Sequence, residues 1–190
     1  MPRFSLLASA ALATVLLASV PASAQTMNEK TVTVGGAPMY PSKNIVQNAI
    51  NSKDHTTLVA AVKAAGLVDT LQSAGPFTVF APTNAAFAKL PVGTVDNLVK
   101  PENKDTLTKI LTYHVVPGRL TAVALMKAIK DGEGTAKLKT VAGGDIWIKQ
   151  AGPGKLSVTD AKGDVATVTI PDVLQSNGVI HVIDTVLLPM

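Results

Sequence analysis

Three histidines, His55, His114 and His181, are the side chains of this 190-residue chain with the widest chemical range. An imidazole that titrates near neutrality can take a proton from a hydroxyl, bind a metal, or sit neutral in a core. Nucleophilic catalysis would need an activated Ser or Thr beside one of them and a carboxylate to orient the ring. No Gly-x-Ser-x-Gly elbow occurs, and Ser176, ahead of the turn pair Asn177-Gly178, has no mark of a nucleophile. His181 and Asp184 are three apart on an expected strand, so their side chains point to opposite faces. A metal needs several ligands that converge; His114 and His181 could approach one another, but no third ligand is evident. Cys is absent, which excludes thiolate-held zinc and iron–sulfur centres. Gly143-Gly144 lacks the spacing and the following Lys-Ser/Thr of a phosphate loop. The pattern predicts no catalytic residues, no metal and no cofactor. His114 and His181, beside valines, are expected as neutral core residues bonded through a ring nitrogen.

The elements that would hold these residues fall into two halves. Ser42 is expected to cap a helix whose inner face carries Ile45, Val46, Ala49 and Ile50. Thr56 or Thr57 would cap a second, with a stripe of Leu58, Val59, Val62 and Ala65 and a stop at Gly66. Phe77 to Phe80 reads as a strand, and Thr83 as the cap of a short helix burying Phe87 and Leu90. Pro101 suits a first helical turn, ahead of Leu107, Ile110 and Leu111 on an inner face; Thr121 would cap a helix over Val123 to Ile129. After Gly132 come short apolar runs separated by Gly143-Gly144, Gly152-Pro153-Gly154 and Lys162-Gly163-Asp164, the mark of antiparallel hairpins. Val179 to Asp184 is nearly continuous in its apolar character and is expected to be buried on both faces. Asn177-Gly178 is expected to supply the positive φ angles of a tight turn that sets this strand's register. A helix-rich first half and strand-rich second half make an α+β fold.

Residues 1–24 have the form of a signal peptide: Arg3, an apolar run from Leu6 to Val20, then Ala22-Ser23-Ala24. Cleavage is expected after Ala24, and the apolar run is short against the roughly 20 residues of a membrane span. No second such run follows, so no transmembrane segment is expected after cleavage. Residues 25–41, with Gly35-Gly36, Pro38 and Pro41, read as an extended N-terminal arm, and 42–190 as one domain. The net charge of +4 is scattered and aromatic residues are few, which argues against nucleic acid as a partner.

Three blocks stand out in order: Gly75-Pro76-Phe77-Thr78-Val79-Phe80-Ala81-Pro82-Thr83-Asn84, Tyr113-His114-Val115-Val116-Pro117-Gly118, and Ser176-Asn177-Gly178-Val179-Ile180-His181-Val182-Ile183-Asp184. In this order and spacing they resemble the fasciclin (FAS1) domain, a secreted adhesion and binding module, over nearly all of the chain after the leader. The resemblance implies a wedge of antiparallel β-strands with helices packed along one side. In animal members a short acidic-aliphatic motif before the last block, and the Tyr-His pair, are linked to adhesion and integrin recognition. The matching positions here are Asp172, Val173 and Leu174, and Tyr113 with His114; these are the candidate partner contacts. Integrin itself is not the expected partner of a chain with a bacterial-looking leader. Many relatives carry an acidic residue after the Ala-Pro-Thr of the first block, where this chain has Asn84 and Ala85.

The reading is therefore a monomeric FAS1 domain exported to the periplasm or beyond, binding an unknown protein or polysaccharide at the cell surface or matrix. The alternative is a periplasmic carrier of a small apolar ligand, lipid or pigment, in a cleft between helices and sheet. An extracellular hydrolase is a third possibility, against which the missing nucleophile motif counts.

Overall fold

The computed structural model of the protein describes residues 31–190; the expected signal peptide and its cleavage site lie outside the described residues. In chain order the strands are β1 (Val32–Val34), β2 (Ala37–Met39), β3 (Phe77–Pro82), β4 (Val115–Pro117), β5 (Thr135–Lys139), β6 (Asp145–Gly152), β7 (Lys155–Thr159), β8 (Val165–Gln175) and β9 (Gly178–Ile183). The α-helices are α1 (Ile45–Ala49), α2 (Thr56–Ala65), α3 (Val68–Gln72), α4 (Asn84–Ala88), α5 (Thr94–Leu98), α6 (Lys104–Tyr113) and α7 (Ala122–Asp131).

Seven strands form one sheet in the order β4-β3-β9-β8-β7-β6-β5. All neighbours are antiparallel except β3 and β9, which run parallel with Phe80 opposite His181. The sheet curls until its two edges meet. Val141 donates from its backbone to the Val115 carbonyl at 2.8 Å, and Ala142 to that of Thr112 at 3.3 Å. The α+β class and the wedge are those expected, with one parallel pair inside it.

Side chains alternate along a strand, and this divides the interior in two. From β3 and β9, Val79, Ala81, Ile180 and Val182 face a core built with the hairpin β1–β2 and helices α1, α2, α3, α4 and α6. Phe80 and Ile183 face the opposite way, into a core inside the curl with Tyr113, Leu125, Ile129, Ile146, Ile148, Val158 and Leu187. Both kinds of residue on β9 are buried, as a continuous apolar strand requires. Irregular register between Val168 and Val173 lets β8 serve both cores, Val168 inside the curl and Val173 on the helix side.

Local signals account for most boundaries. Thr83 and Thr121 cap α4 and α7 through their hydroxyls, and Gly66 ends α2 at φ 72°. Four expectations are corrected. Thr56 and Thr57 are inside α2 rather than its cap, and Ile50, 52% exposed, is off the inner face of α1. The cap of α1 is Asn44, which with Gln47 forms a reciprocal capping box; Ser42 is outside the helix. Residues 32–39 are no free arm: β1 and β2 pair with each other, and Val34 and Met39 are buried in the helix-side core.

Candidate functional site

The three sequence blocks converge on β3, β9 and the end of α6, and there they act as scaffold. Tyr113 and His114 end α6, one turn beyond Ile110. Tyr113 is fully buried; its hydroxyl donates to the Asp145 carbonyl at 2.6 Å and accepts from the Ala161 amide at 3.0 Å. Its ring lies against Gly144, where a Cβ would stand 2.7 Å from the ring. Burial raises the Tyr113 pKa above the ordinary phenol value.

His114 is buried, with Nδ1 2.8 Å from the Ile110 carbonyl and Nε2 accepting from the Leu187 amide at 2.9 Å. The Leu187 bond needs a bare Nε2, so the proton is on Nδ1 and the ring is neutral. Burial dominates and lowers its pKa to about 4, against the opposing pull of the Ile110 carbonyl and the Asp160 charge. His181 has the other tautomer: Nε2 donates to the Leu120 carbonyl at 2.8 Å and Nδ1 accepts from the Asp172 amide at 3.3 Å. Its ring stacks on Phe80 with centroids 5.6 Å apart. Burial lowers its pKa too, opposed by the Leu120 carbonyl and Asp172.

Tyr113 and His114, two of the expected partner contacts, have 0% and 2% of their surface exposed, and in this conformation they brace the interior. The acidic-aliphatic segment divides in the same way. Asp172, at φ 55°, accepts from the Ala122 amide at 2.7 Å and so holds the first turn of α7. Val173 is core. Leu174 alone of the five candidates is turned outward, 36% exposed. Tyr40, 40% exposed, is tied to the same end of β8, because Asn48 bonds both the Tyr40 backbone and the Gln175 side chain.

The β8–β9 turn is Ser176-Asn177, with Gln175 paired to Gly178, the first residue of β9, and neither Asn177 nor Gly178 has the positive φ expected of the pair. Asn177 is buried and holds three distant backbone groups. Its Oδ1 accepts from Ile45 at 3.0 Å, and its Nδ2 donates to the carbonyls of Leu71 at 2.7 Å and Ser73 at 2.9 Å. Gly178 must be glycine because a Cβ would overlap the Phe77 carbonyl oxygen on the neighbouring parallel strand. Asn84 caps α2 from a distance: its Oδ1 accepts from the Thr57 amide at 3.0 Å and its Nδ2 donates to the Lys53 carbonyl at 2.8 Å.

One contact of catalytic type escaped the sequence reading. Ser52 Oγ lies 2.9 Å from His55 Nδ1, and the Ser-x-x-His spacing could have suggested it. Ser52 is 1% exposed and His55 3%, so no substrate carbonyl can reach the hydroxyl. No carboxylate orients the ring, since His55 Nε2 has no hydrogen-bond partner. His55 lines an apolar cavity of about 70 Å³ between the helices and the sheet, with Ile45, Val62, Leu71, Val79 and Ile180 on its walls. Among the described residues no three His, Asp or Glu are grouped so as to hold a metal ion, and no helix is long and apolar enough to cross a membrane.

Comparison with known proteins agrees with this geometry. The sequence pattern of the Fasciclin domain matches residues 53–189. Protein sll1483 of Synechocystis is 50% identical over 161 residues, 85% of this chain and 82% of that protein. Immunogenic protein MPB70 of Mycobacterium bovis is 36% identical over 174 residues, 89% of this chain and 74% of that protein. Among solved structures, a FAS1 domain pair from the insect cell adhesion molecule Fasciclin I superposes with a TM-score of 0.69 at 22% identity, over 78% of this chain and 52% of that pair. Sequence blocks, sheet order and relatives converge: the chain belongs to the fasciclin domain family.

Proposed function

We propose that this protein is a non-catalytic binding module, exported through its N-terminal leader, that recognises a protein or polysaccharide of the envelope or matrix through a preformed surface. The observation that carries this reading is the division of the Asp172-Val173-Leu174 segment. Its acid is consumed by the start of α7, its valine by the core, and Leu174 is the outward-facing member, at the end of β8 to which Asn48 ties the backbone of the half-exposed Tyr40. Exposed apolar and aromatic side chains give contact area at small entropic cost. The cell-adhesion role of the protein that supplied the insect domain pair points the same way. The buried Ser52–His55 contact argues against hydrolysis, because catalysis needs an exposed nucleophile.

The test is capture from host envelope extract with the mature chain and with Leu174→Glu and Tyr40→Glu, identified by mass spectrometry. A partner retained by the native chain and lost by both variants supports the reading. Equal capture by all three, or ester turnover that disappears in Ser52→Ala, contradicts it.

A further inference from the structure

Strands β5 and β6 turn Ala136, Ile146 and Ile148 into the curl. Alternation therefore places Lys137, Lys139, Asp145, Trp147 and Lys149 on its outer face. Trp147 pairs across the strands with Lys137, and Asp145 with Lys139. No residue of either strand belongs to the helix-side core. Between this face and the end of α6 is a groove of about 360 Å³, within the roughly 300–1,000 Å³ of ligand clefts. Lys109, Gly144, Asp145, Trp147, Ala161 and Met190 are among its walls.

The groove combines an aromatic wall with a basic surround. Trp147 is the only Trp of the chain, and it is half-buried rather than part of either core. The Lys137 amine lies 6.0 Å from its ring centroid and 2.9 Å from the Asp145 carboxylate, so one side chain steadies both. Asp145 is the one carboxylate in the lining, and this ion pair neutralises it. Asp160, next to Ala161, is buried, and its oxygens accept from the amides of Lys162, Asp164 and Leu188. Lys109, which donates to the Met190 carbonyl at 3.1 Å, is exposed, as are Lys139 and Lys149. Among the described residues these three lysines form no ion pair.

We infer that this groove binds an anionic polysaccharide through its carboxylated sugar units, with Trp147 as the wall for a sugar ring and the unpaired lysines around it meeting the carboxylates. A pyranose ring suits an aromatic wall, because one of its faces carries mainly C–H groups. Its carboxylate suits a surround in which positive charge is left over after Asp145 is matched. Other anionic partners fit less well. Nucleic acid is held by several stacking rings in series, and here there is one. A bilayer anchor presents its ring outward, whereas Trp147 is half-sunk in a concave wall. An acidic peptide matches the lysines but gives the ring no flat apolar face. The inference rests on the reading of the chain as a binding module but assigns a second surface, since neither Leu174 nor Tyr40 lines the groove.

The test is a titration of the protein with hexagalacturonate at low salt, read by tryptophan emission. With no second Trp in the chain, that emission reports this groove alone. A saturable change is expected, weakening as salt is raised. Neutral maltohexaose should give none, and hexaglutamate, with the charge but no sugar ring, should bind at least about fivefold more weakly. Lys139→Gln combined with Lys149→Gln, at two exposed positions that the fold does not depend on, should weaken hexagalacturonate binding about fivefold, the share of two exposed charge pairs. Trp147→Leu, followed by calorimetry, should weaken it about tenfold. Leu174→Glu should bind as the native chain does, which separates failure of this site from failure of the Leu174 surface. The inference is overturned by the absence of a saturable change, by an equal response to maltohexaose or hexaglutamate, by native affinity in the double lysine variant, or by loss of binding in Leu174→Glu.

Discussion

The two faces of the seven-stranded sheet are finished to different standards. Inside the curl, large side chains such as Tyr113, Phe80, Ile146 and Leu187 are wholly buried, and the polar groups among them are bonded at both ends. On the helix side, the covering layer includes three five-residue helices, α1, α3 and α4, and beneath it lie a cavity and an unpartnered imidazole nitrogen. Long strands paired on both sides can be packed to density, whereas single-turn helices gain their stability from whatever they rest on. The lesson is a division of labour. The curl fixes the shape, and the helix side is the less completely packed of the two.

The largest effect is expected where the two faces share backbone. Gly178→Ala would push a Cβ into the Phe77 carbonyl of β3, part the parallel strands and damage both cores together. A loss of more than about 3 kcal/mol in urea unfolding is expected, at the severe end for single substitutions. A variant within 1 kcal/mol of native would show that β3 and β9 can shift freely, and the two cores would then be less coupled than described.

The buried histidines give the next effect and a pH signature. His114 has a folded pKa of about 4 against about 6.5 when unfolded. The depressed value means that the unfolded chain takes up the proton first. The stability from keeping the ring neutral is therefore fully present above about pH 6.5 and is lost progressively as pH falls toward 4, by up to about 3 kcal/mol. His55 and His181, lowered by burial in the same direction, add to the slope. The urea midpoint should fall between pH 7.5 and pH 5, before most carboxylates titrate. His114→Ala should be about 1–3 kcal/mol less stable at pH 7.5, through the orphaned Leu187 amide and Ile110 carbonyl, and its midpoint should vary less with pH.

A matched pair of added methyl groups sharpens the contrast between faces. Val158→Ile, inside the curl at a fully buried site, should cost about 1–3 kcal/mol through overpacking. Val59→Ile, toward the cavity, should change stability by less than about 0.5 kcal/mol. Equal costs would mean that the helix side is as full as the curl. A modest loss belongs to Asp172→Ala, which removes an acceptor from the first turn of α7 and should cost about 1 kcal/mol in the same urea assay. No change there would detach Asp172 from the helix and return it to the surface contacts.

How much of this was legible depends on how local the signal was. Thr83, Thr121 and Gly66 announced their helix ends, because caps act within a few residues. The Asn44…Gln47 pair carried an equally local signal that Ser42 obscured. β9 read correctly because a strand buried on both faces has no polar alternation. Asn177 was legible only as a turn residue. Its partners, Ile45, Leu71 and Ser73, are over a hundred positions away, and no local pattern records them. Asn84 reaches back to Lys53 and Thr57 for the same reason. The family likeness pointed to Tyr113, His114 and Asp172, but burial and hydrogen bonding, which turned them into scaffold, are tertiary facts.

Native-state hydrogen exchange tests the division most directly, since it measures the opening free energy of each amide. The amides of Ile146, Ile148 and Val158 in the curl should exchange only with global unfolding. Those of Ile50, Leu71 and Ser73 in the covering helices should open at markedly lower free energy. A single common value across both sets would contradict the account, because one uniformly packed body would have no face that opens more readily than the other.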